Sequence, residues 1–303
     1  MSAPRPPIRA LLLDLSGTLH VGSTPTPGAV EALSRLRHPS DGARCYPFRF
    51  CSNTSKEGRR ELEARLRSMG FDIQTESETS NVPEREREMW TSLGALSSLL
   101  RHKGLKRPYC LLQESAKLEI LRDIGVSEDP SQEYDCVVVG LAPALFDYAH
   151  LNAAFRILLP SGPAQAHAHA KPLIATHRAK YVRTAGAHDT LALGPGPFVA
   201  ALEAATGAQA EVVGKPGRAF FETVVASFGF DDDGAREREG GRIAIVGDDI
   251  ETDLGGAAVE LGLWRVLVRT GKYRPGDEHR PGVVPPDEIC DSFAAFIDSL
   301  LKD

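Results

Sequence analysis

The sequence predicts an α/β fold: a Rossmann-like parallel sheet as the core, with a smaller α/β unit inserted as a cap. Three observations predict it. Short apolar runs such as residues 8–13 and 136–139 are continuous rather than alternating, as strands of a parallel sheet covered on both faces are. Stretches with apolar residues at helical spacing separate these runs, and that alternation implies a doubly wound sheet. Several runs end in polar residues, at the carboxyl ends where open α/β sheets carry their chemistry.

In chain order, residues 8–13 form a strand that ends in Asp14-Leu15-Ser16-Gly17-Thr18. Thr26-Pro27 opens a helix, with Thr26 as cap and proline at the first helical position, and Val30, Leu33 and Leu36 give it an apolar stripe. Residues 48–51 are a second strand, followed by Ser52-Asn53-Thr54-Ser55. A charged helix follows, with Leu62, Leu66 and Met69 in step and Gly70 as its stop. After Asn81-Val82-Pro83 a helix restarts at Glu84 and runs through Leu100, its alternating charges reading as a solvated face. Residues 109–112, 136–140 and 173–176 are strand-like, 115–124 and 148–159 helical, and 160–171 an Ala-, Pro- and His-rich loop.

Gly194-Pro195-Gly196-Pro197 opens a helix through Ala205. It follows no evident strand, and its prolines remove the backbone donors a dinucleotide cradle needs, so it reads as a hinge. Then come strand 211–213, the turn Gly214-Lys215-Pro216 and helix 219–228. A polar loop over 231–241 leads to strand 243–246, which ends in Gly247-Asp248-Asp249; a helix over 254–261 and strand 266–268 follow. The expected division is core 1–82, cap 83–194 and core 195–303.

The composition of this 303-residue chain is that of an ordinary globular protein, 42% apolar and 25% charged. A net charge of −6 argues against a nucleic-acid partner. Cys45, Cys51, Cys110, Cys136 and Cys290 are scattered and form no Cys-x-x-Cys pair, which fits a reduced compartment. The N-terminus has no signal-like apolar stretch, and no run approaches the ~20 apolar residues of a membrane span. A cytoplasmic protein without a membrane partner is the expectation. Cys51 reads as a small core residue, and His167 and His169 as part of a solvated loop.

Four strand ends carry groups suited to phosphoryl transfer. Asp14 is a candidate nucleophile or metal ligand. Ser52 and Asn53 supply a hydroxyl and an amide for phosphate oxygens, Lys215 a cation after a tight turn, and Asp248, Asp249 and Asp253 a carboxylate cluster able to hold Mg²⁺. A carboxylate attacking a phosphate dianion meets like charge. A Mg²⁺ bridging Asp14, Asp248 and the phosphate, with Lys215 on another oxygen, removes that repulsion.

The order Asp-Leu-Ser-Gly-Thr, Ser-Asn-Thr-Ser, Gly-Lys-Pro and Gly-Asp-Asp-Ile-Glu-Thr-Asp resembles the four motifs of the haloacid-dehalogenase-like hydrolase superfamily. The α/β insert between the second and third motifs is similar to its subfamily IIA, which includes nitrophenyl phosphatases. The resemblance implies a HAD-type core with an inserted cap. It makes Asp14 the nucleophile and a Mg²⁺ ligand, with the Ser16 carbonyl and Asp248 as further ligands. Ser52, Asn53 and Lys215 would hold the phosphate, Asp253 would order the metal's water shell, and Asp249 would orient its neighbours. The partner expected is a small phosphorylated substrate or a phosphoprotein, and a homodimer through the cap is left open.

One residue departs from the common pattern. Most superfamily phosphatases carry an aspartate two positions after the nucleophile, as acid and base; this chain has Ser16. A serine hydroxyl is too weakly acidic for that work, which is typically worth ~10²–10⁴-fold. The expectation is a Mg²⁺-dependent phosphatase biased towards good leaving groups: pyrophosphate, phosphoramidates on His or Lys, and aryl phosphates. A catalytically impaired phosphate- or phosphoprotein-binding protein is the alternative. His177, Arg178, Lys180 and Tyr181 are candidates for selecting substrate from the cap, or an ordinary polar surface.

Overall fold

The computed structural model describes residues 4–38, 46–74, 87–127, 133–159, 171–183, 191–230 and 241–302. The expected loops at 160–171 and 231–241, with His167 and His169, fall almost wholly outside them, as does the expected boundary at 82. In chain order the elements are β1 (Ile8–Leu13), the hairpin β2 (His20–Val21) and β3 (Thr24–Pro25), α1 (Ala29–Arg37), β4 (Phe48–Ser52), α2 (Arg59–Ser68), β5 (Met89–Thr91) and α3 (Ser92–Lys103). They continue with β6 (Pro108–Leu111), α4 (Glu114–Asp123), β7 (Cys136–Val139), α5 (Tyr148–Leu158), β8 (Leu173–Ala175), β9 (Tyr181–Arg183), β10 (Leu191–Leu193) and α6 (Gly196–Thr206). The chain ends with β11 (Glu211–Val212), α7 (Arg218–Ala226), β12 (Arg242–Gly247), α8 (Ala257–Glu260), β13 (Trp264–Val268), β14 (Glu288–Cys290) and α9 (Phe293–Leu300).

The larger sheet has six parallel strands in the order β14-β13-β12-β1-β4-β5. Its central strands are apolar on both faces because both are covered. Leu11, Leu13, Phe50 and Val246 meet α1, α2 and α9, while Ala10, Leu12, Ile245 and Leu267 meet α7 and α8. The smaller sheet, β11-β8-β7-β6, repeats the arrangement. Cys136, Val138 and Ile174 face α3 and α4; Val137, Val139 and Leu173 face α5 and α6. No helix among the described residues is long and apolar enough to cross a membrane.

Strand pairing moves the expected domain limits. Met89–Thr91, read as helix, is the edge strand of the larger sheet, and its helix begins only at Ser92. Three residues are too few for any period to show. Helix α6 and strand β11, expected in the core, belong to the smaller unit, since Val212 pairs with Ala175 and Val199 and Leu202 pack in its core. Among the described residues, the elements that pair and pack in that unit thus extend from α3 to β11.

The Gly-Pro-Gly-Pro segment does follow a strand, β10, which pairs with β9. Its glycines serve close approach: a Cβ on Gly194 would lie 2.2 Å from the Ala179 carbonyl oxygen. Thr26 does not cap α1. The helix starts at Ala29 after Gly28, and the Thr26 hydroxyl donates to the Thr18 carbonyl at 2.9 Å, tying down the loop that follows Asp14.

Candidate active site

The strands β1, β4 and β12 lie side by side in the larger sheet, so the residues after them converge. Asp14 follows β1, Ser52 ends β4 and Asp248 follows β12. Lys215 arrives from the smaller unit, three residues beyond β11, in a turn closed by Gly217 N–H to the Gly214 carbonyl (2.9 Å). All four side chains are buried, and Lys215 is 1% exposed. They form the floor of a cavity of about 430 Å³.

Lys215 is the electrostatic hub. Its Nζ donates to Asp14 Oδ1 (2.6 Å) and the Cys51 carbonyl (2.7 Å), and lies 2.7 Å from Asp253 Oδ1. Burial alone would lower its pKa, but Asp14 and Asp253 outweigh that and hold it above the usual lysine range. The other carboxylate oxygen of Asp14 accepts from Thr18 Oγ1 at 3.0 Å. The nucleophile candidate is thus gripped at both oxygens and presented in one orientation.

Asp14, Asp248 and Asp253 each bring a carboxylate oxygen to within 4.8 Å of the others. Burial first, and Asp14 beside them second, push Asp248 up and Asp253 up to about 6. With Asp249 added, four carboxylates cluster here, and among the described residues their ion pairs are with two ammonium groups, Lys215 and Lys272. Fully ionised, the four carboxylates exceed the two ammonium groups paired with them by two charges. A buried set of hard oxygen donors with that deficit suits a divalent cation such as Mg²⁺.

Backbone geometry shapes this acidic corner. Gly17 has φ 100 and Gly271 φ 59, left-handed values that favour glycine. A Cβ on Gly17 would sit 1.9 Å from Asp248 Oδ2, and one on Gly271 2.1 Å from the same atom. The Thr270 hydroxyl donates to the Gly17 carbonyl at 2.5 Å and locks the two loops together.

The structure adds a partner for Asn53 that the sequence did not show. The Asn53 side chain is committed to Lys215: its Nδ2 donates to the Lys215 carbonyl (2.8 Å) and its Oδ1 accepts the Lys215 N–H (2.9 Å). Its amide therefore positions the lysine, and the second Nδ2 hydrogen is left on a residue that lines the cavity. Ser52 Oγ accepts from Thr54 N–H at 3.1 Å, which leaves its own proton for a phosphate oxygen. Asp249 accepts from the N–H groups of Glu251 (3.1 Å) and Thr252 (3.0 Å) and from Lys272 Nζ (3.2 Å).

The sequence reading gave Lys272 no role in the site. Its N–H donates to Asp248 Oδ2 at 2.6 Å. Burial opposes its charge, but Asp249 and Asp248 keep its pKa above the usual range. The available signal was its place shortly after strand 266–268, the same position that flagged Lys215 and Asp248. Ser16 lies exposed on the cavity wall, and the turn it belongs to returns at His20, whose carbonyl accepts Gly17 N–H at 2.7 Å.

Of the four cap candidates only His177 lines the cavity. Arg178 makes a two-pronged pair with Glu203 (2.9 and 2.6 Å), Lys180 reaches Glu251 at 3.3 Å, and Tyr181 lies under the Arg274 guanidinium. Among the described residues, the rest of the smaller unit's lining is apolar, with Leu141, Pro143, Val182 and Leu193.

The family of haloacid dehalogenase-like hydrolases matches residues 11–127, and a second, HAD-hydrolase-like family matches 212–296. The chain is 41% identical over 295 residues to haloacid dehalogenase-like hydrolase domain-containing protein 2 of Homo sapiens, covering 97% of this chain and 96% of that one. It is 36% identical over 301 residues to the phospholysine phosphohistidine inorganic pyrophosphate phosphatase of Mus musculus, covering 97% and 95%. Among solved structures, a 4-nitrophenylphosphatase from Thermotoga maritima superimposes with a TM-score of 0.75 at 25% identity, covering 97% of each chain.

Proposed function

The chain belongs to the haloacid dehalogenase-like hydrolase family and is a phosphatase; from that premise we propose that it is Mg²⁺-dependent, works through an aspartyl-phosphate on Asp14, and prefers substrates with good leaving groups. The observation that carries this reading is the pairing of a gripped, buried Asp14 with an exposed serine at position 16.

Asp14, Asp248 and Asp253 are the residues that would hold the Mg²⁺ or its water, and when bound the ion offsets the charge of the attacked phosphate. The Ser52 hydroxyl and the Lys215 ammonium bind and orient the phosphoryl oxygens. An Asp14 carboxylate oxygen attacks phosphorus, the bond to the leaving atom breaks, and its electron pair departs with the leaving group. Water then attacks the phosphorus of the aspartyl-phosphate, and the bond to Asp14 breaks to free inorganic phosphate and the carboxylate.

Ser16 supplies no proton in the first step, so the leaving group must depart as a stable anion, or as a neutral amine or imidazole from a phosphoramidate whose nitrogen is already protonated. Pyrophosphate, phosphohistidine or phospholysine, and aryl phosphates meet that condition; alkyl phosphates do not. Support comes from the relative named for three such substrates and from the nitrophenylphosphatase neighbour. The test is phosphate release from pyrophosphate, phosphohistidine, 4-nitrophenyl phosphate and glycerol phosphate, with and without Mg²⁺. Asp14→Asn is expected to abolish release, and glycerol phosphate to be the poorest substrate; equal turnover of all four would sink the preference. Ser16 also favours one other reading, a binding protein that is phosphorylated once, and a burst without turnover would identify it.

A further inference from the structure

The cap brings one donor into the cavity whose direction is set. His177 follows β8, and Lys215 follows β11, the strand paired with it in parallel; Val213 N–H and Gly214 N–H donate to the Ala175 and Thr176 carbonyls at 3.1 and 3.0 Å. The same strand pair therefore carries the imidazole and the phosphate-site lysine to one place. His177 is 4% exposed, and its Nδ1 accepts the Ala179 N–H at 3.3 Å, so the ring proton sits on Nε2. Nε2 lies 3.4 Å from Ser55 Oγ, the long limit of a hydrogen bond, and that oxygen already accepts the Leu141 N–H at 2.9 Å. At 3.4 Å that contact holds the N–H weakly, and His177 lines the same cavity as Lys215.

We propose that His177 is a catalytic hydrogen-bond donor of the cap, its Nε2–H meeting the leaving-group oxygen as the phosphorus–oxygen bond breaks. The proposal rests on the aspartyl-phosphate reading above. When Asp14 attacks, the electron pair of the breaking bond moves onto the leaving oxygen, and with serine at position 16 nothing protonates it there. A fixed N–H stabilises that charge without giving up its proton, which the departing anion takes later from water. Burial, and then the ammonium groups of Lys272 and Lys215, push the imidazole down to about 3, which favours the neutral ring with its proton on Nε2. A single fixed donor at a developing oxyanion is worth ~10²–10³ in kcat.

The experiment is a series of aryl phosphates of rising phenol pKa, hydrolysed with Mg²⁺ by the wild-type protein, His177→Leu and His177→Gln. His177→Leu is expected to lose ~10²-fold in kcat on phenyl phosphate and much less on 4-nitrophenyl phosphate. His177→Gln, which keeps a side-chain N–H, is expected to recover most of that loss. A loss of equal size across the series, no loss, or a Gln variant as impaired as Leu overturns the role. Should the Leu variant not fold, ¹⁵N-histidine spectra of the wild-type protein decide. The His177 Nε2–H resonance should move when Mg²⁺ and orthovanadate are added, and a stationary resonance overturns the role. Turnover that survives Asp14→Asn sinks the underlying reading and this role with it; Asp14-dependent turnover with a flat His177 response sinks the role alone.

Discussion

Ser16 sits exposed on the cavity wall while Asp14 beside it is buried, so a longer side chain at position 16 meets open space rather than packed atoms. Ser16→Asp is therefore expected to raise glycerol phosphate turnover by up to ~10²-fold, towards the ordinary value of an acid catalyst, with little gain on 4-nitrophenyl phosphate. Steady-state phosphate release checks it, and an unchanged ratio between the two substrates would show that the acid is not what is missing. His20, four residues on, is held differently. Burial, reinforced by Arg65, lowers its pKa from 6.5 to about 4, with Nδ1 bonded to the Gly22 carbonyl at 3.0 Å. Between those values the unfolded chain binds a proton that the folded chain refuses. The contribution is whole above pH 6.5 and is lost as pH falls towards 4. Relative to His20→Gln, the wild-type protein should lose roughly 1–2 kcal/mol of unfolding free energy between pH 7 and 5 in urea titrations.

The glycine loops and the loop after β4 act as elements, each holding another segment in register. Gly17 and Gly271 clasp the Asp248 carboxylate from two sides, and neither position has room for a methyl group. Gly17→Ala or Gly271→Ala must push Asp248 aside, so the Mg²⁺ concentration for half-maximal activity should rise at least ~10-fold, as when groups supporting a metal ligand are lost. An unaltered Mg²⁺ titration in both variants would show that Asp248 is not a ligand. The Asn53 amide bridges both backbone groups of Lys215 across 162 positions. Asn53→Ala leaves the lysine in place chemically but free to shift, and a misplacement of this kind costs up to ~10²-fold. The loss should exceed that from Thr54→Ala, measured as kcat/KM for 4-nitrophenyl phosphate.

At the scale of the molecule, the active site is a charge balance struck between two units. The larger sheet contributes Asp14, Ser52, Asp248 and Asp253, while Lys215 follows directly from the smaller sheet. Lys180–Glu251 and Arg274–Tyr181 add contacts between the same two units. Removing Lys215 leaves buried carboxylates facing one another, and breaking a buried pair costs about 3–5 kcal/mol. Lys215→Gln should therefore unfold at a markedly lower temperature than the wild-type protein in EDTA. Mg²⁺ should close part of that gap, because a cation bound to the folded state alone stabilises it by mass action. Thermal unfolding with and without Mg²⁺ reads both effects; a Lys215→Gln protein as stable as wild type in EDTA would refute the balance.

The sequence by itself determined the parallel α/β fold, the inserted unit and the strand ends that carry Asp14, Ser52, Lys215 and Asp248, because buried parallel strands are written as continuous apolar runs whose ends are legible. It also located the departure at Ser16. Tertiary structure decided what depends on pairing between distant segments. Strand β5 and the limits of the inserted unit follow from which sheet a two- or three-residue strand joins, and so short a run carries no period. The partners of Asn53, Lys272 and His177 lie far away in the chain, and an amide, an ammonium or an imidazole looks the same in sequence whether it meets solvent, a carboxylate or a hydroxyl.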